Sequence, residues 1–269
     1  MHRAIIPAIL VSSLFFGLTS GYAQSPNASR LYEIGMNAMT GVGPDRNEQA
    51  ALDNIRKSAQ LGYPPAEVLL GYFYDTGTIV TKEPGQAADW YKKAALQDDP
   101  VGEWLLGRLI FMGAVPRDLT EAARWLQKAA AHNDPFGDYL LGKVKLEHQD
   151  YTKAAELFRK AALQGLPQAQ QQLGSLLKQG QGVNADKSEA YTWLLVSYDG
   201  GNQSASVANS LAQLESELGA NQTQMAKSKA RELEQTSNRV VSARGCTGWQ
   251  GEFDVIPAPP PPDIQNSCR

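Results

Sequence analysis

Ala66-Glu67-Val68-Leu69-Leu70-Gly71-Tyr72-Phe73-Tyr74-Asp75-Thr76-Gly77, followed by Lys93-Ala94-Ala95, states a pattern that the chain repeats along most of its length. Its first marker recurs as Ile34-Gly35, Leu70-Gly71, Leu106-Gly107, Leu141-Gly142 and Leu173-Gly174, with glycine-to-glycine steps of 36, 36, 35 and 32. The second recurs as Lys57-Ser58-Ala59, Lys93-Ala94-Ala95, Lys128-Ala129-Ala130 and Lys160-Ala161-Ala162. Self-similarity at a period of this size is the mark of stacked supersecondary units.

Each unit reads as a helical hairpin. Ala66, Leu70, Phe73 and Tyr74 share one helical face. Gly77 suits a helix end, residues 81–85 form a turn, and Ala87, Ala88, Tyr91, Ala94 and Ala95 mark a second helix. Pro64, Pro100, Pro135 and Pro167 punctuate the joints between units. A mid-helix glycine costs up to ~1 kcal/mol against alanine. Its return at one repeat position predicts a close crossing by the second helix of the same pair. Trp90, Trp125, Trp193, Tyr91 and Phe158 are expected in the core. Repeat four lacks the glycine turn, reading Glu147-His148-Gln149-Asp150, and a change of local curvature is expected there.

The predicted fold class is all-α: a solenoid of about six antiparallel helix pairs. The units lie near 29–64, 65–100, 101–135, 136–167 and 168–202, with a capping pair at 203–238. These make a repeat array over 24–238. Residues 1–23 read as a cleavable signal peptide: Arg3, an apolar stretch over 4–18, and Gly21-Tyr22-Ala23 as the cleavage site near Ala23. That predicts a periplasmic or secreted protein. Without those residues the charge is 24 − 28 = −4, mildly acidic, which gives no reason to expect nucleic acid. No later apolar run approaches the ~20 residues of a spanning helix, so no stable membrane insertion of the mature chain is expected.

Residues 239–269 read as an irregular tail with a proline-rich run over 257–262 and the only cysteines, Cys246 and Cys268. In an oxidising compartment these could pair, closing a loop worth roughly 3 kcal/mol; free or intermolecular thiols are the alternative. The tail could dock a partner, fold back as a lid over the array, or remain a disordered end.

The motifs Ala66-x3-Leu70-Gly71-x2-Tyr74-x2-Gly77, Gly180-x-Gly182-Val183 and Ala88-Asp89-Trp90-Tyr91-Lys92-Lys93-Ala94-Ala95 resemble Sel1-like repeats, a family related to tetratricopeptide repeats. The resemblance covers residues 29–200 well and 201–238 weakly. It implies a right-handed α/α superhelix that serves as an adaptor in protein complexes, with exported members linked to envelope assembly, signalling or host contact. Some cysteine-rich members are implied to bind or hydrolyse β-lactams. This chain has no cysteine within its repeats and departs from that subgroup.

A search for chemistry yields no nucleophile, base and oxyanion donors in one pattern, no metal-ligand spacing and no cofactor motif. His132 stands singly at the end of a second helix and His148 in the shortened turn, and the Asp98-Asp99 pair reads as solvated. The inner curve is more informative. First-helix positions opposite the core give Tyr72, Trp104, Arg108, Phe111, Tyr139 and Lys143 as a protein-binding groove. The types fit interface centres, which favour tryptophan, tyrosine and arginine. The alternative is that these rings finish the packing between neighbouring first helices. The reading is therefore an exported, non-enzymatic scaffold binding a protein or peptide. An envelope enzyme acting on cell-wall peptide or β-lactam, and a purely structural subunit, are the alternatives.

Overall fold

The structure, a computed structural model, describes residues 26–40 and 47–244. The expected signal peptide, both cysteines and the proline-rich run lie outside the described residues. Eleven helical segments follow one another: α1 Pro26–Thr40, α2 Glu48–Gln60, α3 Pro64–Thr76, α4 Pro84–Ala95, α5 Pro100–Met112, α6 Leu119–Ala131, α7 Pro135–Glu147, α8 Tyr151–Leu163, α9 Pro167–Gln179, α10 Lys187–Asp199 and α11 Ala205–Arg244. No described residue is in a strand. Gly219 breaks α11 with φ 74° and ψ 163°, so α11 is two helices and supplies the sixth pair. It runs beyond residue 238, and residues 239–244 are helical rather than irregular.

Local chemistry sets the helix ends. Proline opens α3, α4, α5, α7 and α9, where its missing N–H would lack a helical acceptor anyway. Asp99 and Asp134 accept the amides of Gly102 and Gly137, each at 2.8 Å, as N-caps. One joint position is left-handed in every repeat: Gly62, Asp98, Asn133, Gly165 and Gly201, with φ from 56° to 102°. Asp and Asn tolerate that region better than other side chains, which is why the punctuation need not always be glycine. In repeat four Gln149, at φ 58°, turns the chain where repeats two, three and five use Gly77, Gly113 and Gly180.

The predicted crossing is present in all five repeats. A methyl group on Gly35, Gly71, Gly107, Gly142 or Gly174 would come within 2.6–2.8 Å of Ile55, Tyr91, Leu126, Phe158 or Leu194 on the paired second helix. The small residues after Lys93 and Lys128 serve the next joint. A methyl on Gly102 would meet Ala94 at 2.7 Å, and one on Gly137 would meet Ala129 at 2.8 Å. Trp125, Trp193, Tyr91 and Phe158 are buried as expected, and Trp90 is half-buried beneath the Lys93 ammonium. Burying each such ring contributes about 1.5–3 kcal/mol.

Packing is almost entirely between consecutive helices, the pattern of a solenoid. The exceptions are instructive: α3 approaches α5, and α5 approaches α7. First helices therefore line the inner side of the curve. Neither α7 with α9 nor any pair of second helices comes as close.

Candidate binding groove

The inner positions differ sharply along the array. On α3 and α5, Val68, Tyr72, Asp75, Trp104, Arg108 and Phe111 are all buried, with Trp104 at 0% exposure. On α7 and α9 the equivalent Tyr139, Lys143, Leu146, Gln171, Ser175 and Lys178 are half-exposed. The six expected groove residues thus divide. Tyr72, Trp104 and Phe111 finish the packing between neighbouring helices. Tyr139 and Lys143 reach the surface, and Arg108 lies between the two groups.

Arg108 of α5 forms a buried ion pair with Asp75 of α3, tying two repeats together on the inner side. The Tyr72 hydroxyl nearby is pushed up to about 12, first by burial and then by the Asp75 charge. Trp104 stacks on Phe136 of the next repeat, ring centres 5.0 Å apart and 24° from parallel. Beyond this block the surface dips between α5 and α7. The depression is lined by Arg108, Met112, Phe136, Tyr139, Leu140 and Lys143, with Gln168 of α9 at its edge. It offers about 50 Å³, far below the ~300–1,000 Å³ of sites that engulf small molecules. Its shape suits one side chain of a longer ligand. The Lys143 ammonium lies 5.6 Å from the Phe111 ring centre and 5.8 Å from that of Tyr139. Among the described residues no carboxylate lies within ion-pair reach of it.

Sequence reasoning missed a row of buried acids. Glu67, Glu103 and Asp138 each stand four residues before the mid-helix glycine, at 3%, 0% and 1% exposure. Burial pushes Glu67 up to about 7 and Asp138 up to about 6, opposed by Lys93 and Lys160 respectively. Burial also raises Glu103, opposed by His132 and Lys128. His132 Nε2 lies 3.7 Å from this carboxylate and Lys128 Nζ 3.4 Å. The opposing lysines are those of the repeated Lys-Ala-Ala motif, so motif and acid form one device. Repeat five changes both partners together, with Gln170 for the acid and Val196 for the lysine. The Gln170 amide instead donates to the Ala162 carbonyl at 3.2 Å. The signal was present in the spacing, an acid four residues before Gly71, Gly107 and Gly142.

These acids are shut away from any substrate, so their perturbation belongs to folding. Asp98 and Asp99 do not behave alike: Asp98 is exposed and reaches Lys128 at 3.0 Å, whereas Asp99 caps α5. His148 ends α7. Among the described residues no group of three or more His, Cys, Asp or Glu converges as a metal site. No described helix is long and apolar enough to cross a membrane.

The Sel1 repeat family profile matches residues 31–63, 64–99, 100–134, 138–166 and 167–202. A protective antigen of uropathogenic Escherichia coli with an SLR fold is 28% identical, with a TM-score of 0.70 over 87% of this chain and 50% of its own. A Sel1 repeat protein from Oxalobacter formigenes is 27% identical, with a TM-score of 0.62 over 77% of this chain and 88% of its own. An uncharacterized protein of Neisseria meningitidis serogroup B is 28% identical over 139 residues, 52% of this chain and 22% of that protein. The chain therefore spans about half of the antigen's length and about a fifth of the Neisseria protein's.

Proposed function

Since the chain belongs to the Sel1 repeat family, we propose that it is an exported, non-enzymatic scaffold that grips a protein or peptide partner on its inner face. Sel1-repeat proteins mediate protein–protein interaction and are typically non-enzymatic. The observation that carries the reading is the change of exposure along the inner face. Three buried rings give a rigid wall, and the adjoining depression presents Met112, Tyr139 and Lys143 to solvent. A rigid apolar floor beside a polar rim is the anatomy of an interaction centre. Export rests on the sequence of residues 1–23.

The test has two arms. Capture from the native cell-envelope fraction, using the intact chain and a Tyr139→Ala variant of verified fold, should recover a partner with the first and lose it with the second. Equal recovery by both would place binding elsewhere. Fractionation with mass measurement should find the chain outside the cytoplasm and shortened at Ala23. A cytoplasmic, full-length product would end the export reading.

A further inference from the structure

The occupant of the depression follows from its charge. The chain as a whole is acidic, with 28 acids against 25 bases. Its inner face runs the other way. Over the three inner positions of each of the five repeats the bases are Arg108, Lys143 and Lys178 and the acid is Asp75, a balance of 3 − 1 = +2. Asp75 is spent on Arg108, and Lys178 donates to the Gln213 side chain at 2.7 Å. Lys143 stands apart, half-exposed, held over aromatic rings and without a carboxylate in reach. Beside it Met112 is 56% exposed, a large apolar side chain facing solvent at the rim. No acidic residue lines the depression.

We propose that this site takes an internal segment of a partner protein in which an Asp or Glu side chain adjoins a large apolar one. The carboxylate meets the Lys143 ammonium, and the apolar side chain seats against Met112, Phe136 and Leu140 with the Tyr139 ring as one wall. Each half of the site selects. An apolar segment lacking the acid leaves Lys143 partly desolvated and unpaired, a penalty that discriminates against it. A basic segment meets repulsion at Lys143. The depression lies between successive first helices, so a ligand longer than one side chain must continue along the inner curve. The inference rests on the scaffold reading above and adds the chemistry of the partner.

Selection of a phage-displayed random peptide library on the immobilised full chain tests it, because displayed peptides carry no free C-terminal carboxylate. The recovered sequences should be enriched in Asp or Glu beside Trp, Phe, Leu or Met. Made synthetically with both ends capped, they should lose about tenfold or more in affinity when the peptide's acid becomes its amide, and similarly with Lys143→Glu. Lys143→Ala, which introduces no charge, should show a smaller loss. Lys92→Glu, on an exposed position of the second helix α4, should leave affinity within about twofold. Binders without acids, insensitive to Lys143→Glu but lost with Tyr139→Ala, would overturn this proposal and leave the scaffold reading standing. Binders indifferent to both substitutions, or no binders at all, would overturn the proposal. Only in the first of those two cases does the inner-face reading fall with it.

Discussion

The inner surfaces of α3–α5 and of α7–α9 occupy the same repeat positions, yet one is closed and the other open. Where the closed half carries Trp104, the open half carries Tyr139 and Gln171; where it carries Asp75 and Phe111, the open half carries Leu146 and Lys178. The closed half fills its space with rings and one buried ion pair, and its first helices draw together. The open half contains the shortened fourth repeat, and its first helices α7 and α9 stand farther apart than α5 and α7 do. A repeat backbone thus fixes where an inner residue sits, while its neighbours decide whether that residue is core or surface.

The largest test of this contrast is Trp104→Ala. It removes a fully buried ring and the stack on Phe136, so unfolding by denaturant should show a loss of about 3–5 kcal/mol. Tyr139→Ala in the open half should cost no more than about 1 kcal/mol and weaken binding instead. Equal losses would erase the distinction. Asp75→Ala comes next. It strands the Arg108 charge among buried groups and should cost about 3–5 kcal/mol, whereas replacing both partners by Leu and Met should recover most of that.

A smaller effect comes from pH. The folded Glu67 carboxyl sits near 7 against an ordinary 4.5, so the fold binds its proton more tightly than the unfolded chain does. Stability from this group is complete below its ordinary value and is lost as pH rises through about 7. Thermal melts should therefore favour about pH 5 over about pH 8. Glu67→Gln should flatten the difference by on the order of 1 kcal/mol, while Gln170, its neutral counterpart in repeat five, adds none. The smallest stability change belongs to Lys143→Glu, within about 0.5 kcal/mol by melting, even where peptide binding is lost.

Much of the fold was legible in the sequence because it rests on periodic constraints. The glycine crossings at Gly71 and Gly107 must recur wherever a hairpin recurs, and so must the alanines that receive the next unit. The capping pair was legible too, and its break falls at Gly219, but the helical residues 239–244 were not legible, since they lie outside the periodic part. The groove was legible only as a set of positions. Trp104 and Tyr139 look equally suited to an interface in a linear reading. What separates them is how near the next first helix comes: α7 brings Phe136 against Trp104, whereas α9 stays farther from α7 and leaves Tyr139 half-exposed, and a single repeat specifies neither. The acid row went unread because Glu67 and Asp138 look like ordinary solvated first-turn residues until the depth of burial is known.

One consequence follows from helices that touch almost only their sequence neighbours. Such an array has no keystone. Tension between its two ends would be shared among many soft seams, each opening slightly, so the coil would lengthen like an accordion before any single hairpin ruptured. The Arg108–Asp75 clasp stiffens one end of that accordion and leaves the pleats from α7 onward the more compliant.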